Sequence, residues 1–290
     1  MNDTVKVFQV DPFNLIMQFD TRYHKPNDIV KRRNFITQYT VGSDSNNIII
    51  ELDRPPDYDG DLTLDDFCFS VTTQRLLMYI MELFALHQKN EFDFSIKEYM
   101  LRCELEDRKH IRKQLERDLF ALSAVRFYHN GKQFYILEKF GIHHKRVYLE
   151  LHYSITDEIQ LHNNYILLPL NYYKINVQRF HAAPGLLHYM LLLRYMNSKK
   201  SNKNRASIKS LLARGHFPSI EAVRATKNNN IKGRITDPFF RTIASLKGMV
   251  TLKYYNQRKE ELTEQEVRAL EYDDMVKIVA HFVWAHEQNK

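Results

Sequence analysis

Cysteine is almost absent from this 290-residue chain: Cys68 and Cys103 are the only two, each alone among apolar neighbours. Neither a disulfide framework nor a cysteine zinc site is expected, and a reducing cytoplasm is the natural compartment. Long hydrophobic runs are lacking as well. The longest, Leu186 to Met196, is interrupted by His188 and Arg194, which fits a buried helix and not a membrane span. The opening residues MNDTVKVFQVD have no basic flank followed by an apolar stretch, so no secretory signal is expected. There is no GxxxxGK[ST] phosphate loop, no HExxH and no paired CxxC, so no ATPase or helicase is implied. His143, Lys145 and Arg146 contain an HxxR fragment of a tyrosine-recombinase pattern, without the arginine and tyrosine that would complete it. The acidic pairs Asp65-Asp66 and Asp273-Asp274 read as structural. No metal, no cofactor and no enzymatic activity are expected.

Acidic residues are missing from one stretch above all. Residues 165–259 hold 18 Lys/Arg against Glu221 and Asp237 alone, a net +16, whereas residues 1–67 and 260–290 are each −5 and residues 68–164 are +1. Ordinary solvated surfaces interleave both signs, so a block of this size calls for a polyanionic partner. Hydrophobic content of 44% is ample for real cores and excludes wholesale disorder.

Along the chain, residues 5–19 and 48–52 read as strands, separated by the polar stretch His24 to Arg33. The Pro- and acid-rich segment Asp53 to Asp61 reads as a linker or exposed loop and marks a boundary. Thr72 opens an amphipathic helix that ends near Gln88, and a short strand around Phe92 and Phe94 follows. Ser95 with Glu98 three residues on forms a capping box for the helix SIKEYMLRC. A third helix, about Glu106 to Leu122, lines up Ile111, Leu115, Leu119 and Leu122. VRFYHNGKQFYILEKF then reads as two strands joined at Asn130-Gly131, the strongest short hairpin pattern.

The same order recurs. RLLMYIMEL (75–83) aligns with GLLHYMLLL (185–193), SIKEYMLRC (95–103) with SIKSLLARG (207–215), and VRFYHN (125–130) with VTLKYYN (250–256), at offsets of 110, 112 and about 125. Collinear repetition outweighs any single motif. The widening offset implies an insertion, FPSIEAVRATKNNNIKG, between the second and third helices of the second copy. In TDPFFRTIASLKG, Thr236 or Asp237 is the expected cap, Pro238 sits in the first turn and Gly248 stops the helix. Residues 263–288 open with a Thr-x-x-Glu box and are expected to continue as a helix, with Met275, Val276, Val279, Phe282 and Val283 packing on the core or on a partner chain.

Candidate nucleic-acid contacts follow from the charges. In the first copy Arg108, Lys109, Arg112 and Lys113 crowd the start of the third helix, where like charges at i and i+4 repel unless phosphate relieves them. Nearby Glu104, Glu106, Asp107 and Glu116 offer a competing, internal neutralisation. In the second copy Lys199, Lys200, Lys203, Arg205 and Lys209 form one cluster and Arg224, Lys227, Lys232 and Arg234 another, with Arg241 and Lys247 along the final helix. Long cationic side chains among Asn and Ser suit phosphate contact, and Arg or Asn can read base edges.

Helix, short strand, helix, helix, hairpin, met twice over residues 68–259, resembles the duplicated winged-helix replication initiators of plasmids, the class that binds repeated origin sequences. The segments carrying the likeness are RLLMYIMEL…SIKEYMLRC…VRFYHNGKQFYI and GLLHYMLLL…SIKSLLARG…DPFFRTIASLKGMVTLKYY. The fold expected is α+β: tandem winged-helix domains with an N-terminal β-containing extension and a C-terminal helix. The expected domains are 1–67 (extension), 68–164 (first winged helix), 165–259 (second, strongly basic) and 260–290 (C-terminal helix). The resemblance implies a bacterial, cytoplasmic, sequence-specific double-stranded DNA-binding initiator of a plasmid or other mobile element. It also implies that the second module grips DNA while the first serves in homodimerisation, a role open to the C-terminal helix too. The alternatives are a transcriptional repressor with the same modules and a DNA recombinase or nuclease. Phosphate attraction alone does not separate DNA from RNA.

Overall fold

The structure, a computed structural model, describes residues 4–9, 13, 16–17, 19, 28–31, 35–43, 46–52, 68–106, 110–196, 203–227 and 229–285. The fold is α+β, as expected, and the chain divides into two units, Met1–Lys174 and Ile175–Lys290.

The first unit begins with strands β1 (Thr4–Phe8), β2 (Asp28–Lys31), β3 (Phe35–Ser43) and β4 (Asn46–Leu52). Helix α1 (Val71–His87), strand β5 (Glu91–Ser95), helix α2 (Ile96–Arg102) and helix α3 (Ile111–Ala124) follow, then strands β6 (Val125–His129), β7 (Lys132–Tyr135), β8 (Leu137–His143) and β9 (Arg146–Leu151). Helix α4 (Tyr153–His162), strand β10 (Tyr165–Pro169) and a 3-10 turn (Leu170–Lys174) complete it. The Ser95 capping box is present: Glu98 N–H donates to Ser95 Oγ at 3.1 Å and Ser95 N–H to Glu98 Oε2 at 2.8 Å. The core is built from Leu76, Leu77 and Ile80 of α1, Leu115, Leu119 and Leu122 of α3, and Phe94 and Val147 of the sheet, all buried.

The Asn130-Gly131 hairpin exists, with φ of 51° and 75° at its two turn residues. It does not close the repeated module, however. β6 pairs with β4, so the hairpin joins a five-stranded sheet β2–β3–β4–β6–β7 with the N-terminal strands. The hairpin that follows α3 in the repeated order is β8–β9, which turns at His144 (φ 46°) and Lys145 (φ 67°) and pairs with β5 in the order β5–β9–β8. The N-terminal strands β2–β4 are therefore part of the first unit's five-stranded sheet, while β1 pairs antiparallel with β10 in a separate two-stranded sheet of the same unit. The expected boundaries at 67 and 164 give way to a single one after Lys174. The Asp53 to Asp61 linker and Asp65-Asp66 lie outside the described residues.

The second unit runs α5 (Ala183–Met196), β11 (Arg205–Ser207), α6 (Ile208–Arg214), α7 (Ile220–Arg224), a π turn (Lys232–Thr236), α8 (Asp237–Ser245), β12 (Val250–Tyr255), β13 (Glu261–Leu262), α9 (Glu264–Ala269), α10 (Tyr272–Met275) and β14 (Val279–Trp284). Its sheet order, β11–β14–β12–β13, repeats the β5–β9–β8 arrangement: in both, the last strand lies between the first strand and the middle one. The repeat is thus real in topology, but its third match shifts. The equivalent of β12 is β8, beginning at Leu137 and Val250, and not the VRFYHN strand β6.

Residues 263–288 are not one helix. The Thr263–Glu266 capping box is present, with Glu266 N–H donating to Thr263 Oγ1 at 3.2 Å, but α9 ends at Ala269. VAHFVW alternates with period two, burying Ala280, Phe282 and Trp284 against Tyr254, Leu252 and Val250, and forms the central strand β14. A strand pairing on both edges satisfies more backbone groups than a last helical turn would, and tertiary pairing overrides the helical spacing of the apolar residues. The block 165–259 is consequently not self-contained, because its sheet needs β14 at its centre.

Candidate nucleic-acid interface

Helix α8 is entered through the π turn rather than through a cap at Thr236 or Asp237. Thr236 is in helical conformation (φ −62°, ψ −56°) and makes no side-chain cap. The capping contact comes earlier, from Gly233 N–H to Asn230 Oδ1 at 2.8 Å. A Cβ at Gly233 would lie 2.6 Å from Asn230 Nδ2, so glycine lets the Asn230 side chain close over the turn. Gly248, at φ +99°, ends the helix as expected.

The π turn and α8 together bury Ile235, Phe239, Phe240 and Ile243 and expose Lys232, Arg234, Arg241 and Ala244, with Lys247 exposed beyond the helix end. Spacings of seven and three residues place Arg234, Arg241 and Ala244 on one face. Arg234 Nη1 donates to Thr226 Oγ1 at 2.7 Å, which lays the exposed loop of Arg224 and Lys227 against the π turn. Four expected cations, Lys227, Lys232, Arg234 and Arg241, are so brought to one region, with Lys247 just beyond α8.

Lys209 and Arg224 are exposed but share a carboxylate neighbour, Glu221. Both lower the Glu221 carboxyl pKa, after the larger effects of its own backbone N–H and the Ser219 hydroxyl. Arg224 also faces Tyr272, whose pKa is raised by partial burial and by Glu221 and Asp273. Backbone bonds from Ile208 N–H to Ile278 O at 2.9 Å and Lys209 N–H to Val276 O at 3.3 Å pin the acidic α10 segment to the start of α6. The acidic pair Asp273-Asp274 thus lies on a segment held beside two of the predicted contacts.

Lys203 is exposed just before β11, and Arg205 is half-buried on it. In the first unit Arg112 is engaged with Glu116 Oε1 (3.1 Å) and with the Ile142 carbonyl (3.4 Å), which ties α3 to β8. Lys113 is exposed beside it. Arg108, Lys109, Lys199 and Lys200 lie outside the described residues. Lys253 on β12, not singled out from the sequence as a contact, and its neighbour His281 on β14, whose imidazole is held neutral by burial and by Arg205, are aligned by strand register, which sequence spacing does not reveal.

Among the described residues no group of three His, Cys, Asp or Glu side chains is placed to hold a metal ion, and no helix is long and apolar enough to cross a membrane. No protein family and no curated protein matches the chain. Among solved structures, a crystal structure of domains 2 and 3 of RctB is similar at a TM-score of 0.50 and 12% identity, covering 95% of this chain and all of that one. A second crystal structure of RctB domains 2–3 gives a TM-score of 0.47 at 11% identity, covering 95% and 98%. At this identity the first likeness shows the fold alone.

Proposed function

We propose that the chain is a non-enzymatic, sequence-specific double-stranded DNA-binding protein of two winged-helix modules, acting as the replication initiator of a bacterial plasmid or other mobile element. The observation that carries this reading is the exposed cationic run Lys227, Lys232, Arg234, Arg241 and Lys247 around one helix of a twice-used topology. A helix with an apolar inner face and a basic outer one suits the major groove, with flanking lysines on phosphate and Arg234 or Arg241 near base edges. The fold likeness to RctB, a replication initiator, supports the initiator reading over others at the level of architecture. The first module, whose α3 cation Arg112 is internally engaged, pairs two copies in this proposal.

Binding to a duplex library across a salt series tests it. A protein making about 6–10 phosphate contacts loses roughly three to five decades of affinity between 50 and 200 mM salt. A flat response sinks the proposal. A repressor with the same modules would bind equally well, but only an initiator opens an adjacent AT-rich segment to permanganate. DNA cleavage, or a covalent tyrosine–DNA adduct, overturns the non-enzymatic assignment.

A further inference from the structure

The outer face of the second unit's sheet carries a row of side chains that the helix-face reading does not use. Arg205 of β11, His281 of β14 and Lys253 of β12 are direct cross-strand partners, so all three project from the same face. Tyr255, two residues along β12, shares that face, and its ring contacts His281 with centroids 4.5 Å apart. The opposite face holds the buried Tyr254, Ala280, Phe282 and Trp284. The row is held in place from behind: Asn204, in left-handed conformation at φ 58°, accepts from Trp284 Nε1 at 3.1 Å and from Phe282 N–H at 2.7 Å. Those bonds fix where Lys203 and Arg205 leave the sheet.

We propose that this face, Arg205–His281–Lys253 with Tyr255, is a second binding site, for single-stranded nucleic acid. An aromatic surface flanked by cations is the chemistry that takes unstacked bases and their phosphates without sequence preference. Glu261 is the carboxylate that meets the row. It is engaged by Lys253 Nζ at 3.4 Å and by the Tyr255 hydroxyl at 3.1 Å, toward the sheet edge. The matching face of the first unit is an internal contrast. There Tyr148 and His143 also approach, at 6.1 Å, but three carboxylates, Glu91, Asp93 and Glu150, line the same shallow groove, Asp93 paired with Arg146 and Glu150 with Lys139 at 3.7 Å. The cations of that face are taken up by its carboxylates and Glu91 adds a further negative charge, so it attracts a phosphate chain less than the Arg205–Lys253 row does.

Cross-strand pairs of this kind also stabilise a sheet, and that purely structural role makes a different prediction. The test is fluorescence anisotropy of the full chain with labelled oligo-dT, oligo-rU and a duplex hairpin. The wild type binds one or both single strands, the two arms telling a deoxyribose from a ribose ligand. Tyr255→Leu weakens that binding by about tenfold or more, while Tyr255→Phe retains it. Arg205→Gln with Lys253→Gln also weakens it, and Tyr148→Leu in the first unit leaves it unchanged. No single-strand binding overturns the proposal, as does wild-type binding by the Arg205/Lys253 double variant. Emission from Trp284, the sole tryptophan, reports whether Tyr255→Leu still folds. If it does not, the double variant, altered only at the solvent side of the row, decides. The site stands apart from α8, so loss of duplex binding in Arg241→Ala with single-strand binding intact would tell the two readings apart.

Discussion

Thr73 Oγ1 donates to Asp118 Oδ1 at 2.8 Å, tying the first turn of α1 to the buried face of α3. Thr72 Oγ1 and Gln114 Nε2 reach the same oxygen at 3.0 and 3.2 Å. Burial still outweighs these donors, and it pushes the Asp118 carboxyl up to about 6. A carboxyl whose folded pKa is raised contributes stability that is present below its unfolded value and is lost as pH rises through about 6. Acidification from pH 7 to 5 therefore stabilises the packing of α1 on α3 by relieving the cost of a buried charge. Asp118→Asn keeps an acceptor for Thr73 and removes the titration. Hydrogen exchange of α1 and α3 amides should be at least as slow as wild type at pH 7 and should lose the wild type's added protection at pH 5. Added protection that persists in the variant would assign it to another group.

His188 of α5 works in the opposite sense. Burial lowers its pKa to about 3, so it folds neutral. Its contribution is complete above the unfolded value near 6.5 and is lost as pH falls toward about 3. At pH 4.5 the loss amounts to about 2–3 kcal/mol. Trp284 lies in the same unit and is fully buried, so its emission follows this unit. In His188→Leu, urea denaturation followed by Trp284 should show a much flatter dependence on pH between 6.5 and 4.5. An unchanged acid sensitivity would place the proton elsewhere.

The β8–β9 turn is an untapped source of stability. His144 and Lys145 both adopt positive φ, the geometry of a two-residue turn that Asn-Gly satisfies without strain. Replacing the pair (His144→Asn, Lys145→Gly) should stabilise the first unit by about 0.5–1 kcal/mol, seen as a rise in melting temperature. Lys145→Val should lower it, since a β-branched side chain resists left-handed backbone.

That turn also explains what the sequence concealed. Turn chemistry locates a hairpin but not the sheet it enters, so Asn130-Gly131 drew the repeated hairpin one position too early. The true one turns on residues with no glycine or asparagine to mark it. The capping boxes at Ser95 and Thr263 were legible because they are local, satisfied within three residues. Strand β14 was not, because Met275, Val276, Val279, Phe282 and Val283 fit a helical spacing as well as Ala280, Phe282 and Trp284 fit an alternating one. Only pairing with β11 and β12 decides between them. For the site, the charge count found the basic loops and α8. It could not see that Glu221 of α7 faces Lys209 of α6 as well as its own neighbour Arg224, because the fold and not the spacing brings α6 and α7 together.

That pairing ranks the cations. Lys232, Arg241 and Lys247 are exposed around α8, where a duplex would be met by three cations. Lys209 and Arg224 already have carboxylate neighbours, and a phosphate gains less by approaching them. Lys232→Ala, Arg241→Ala and Lys247→Ala together should reduce the salt slope of duplex binding by about 2–3, roughly one for each phosphate no longer neutralised. Lys209→Ala with Arg224→Ala should change the slope by less than about one. Arg234→Ala has a second effect, because its bond to Thr226 at 2.7 Å holds the loop to the π turn. It should weaken binding and also speed hydrogen exchange across residues 224–236. Arg112→Ala, removing a side chain already held by Glu116 and the Ile142 carbonyl, should leave the slope nearly unchanged. If the Lys209/Arg224 pair instead costs more than the α8 set, the duplex lies along α6 and α7. The acidic α10 segment would then be a competitor for DNA at that face, and Asp273→Asn would tighten binding.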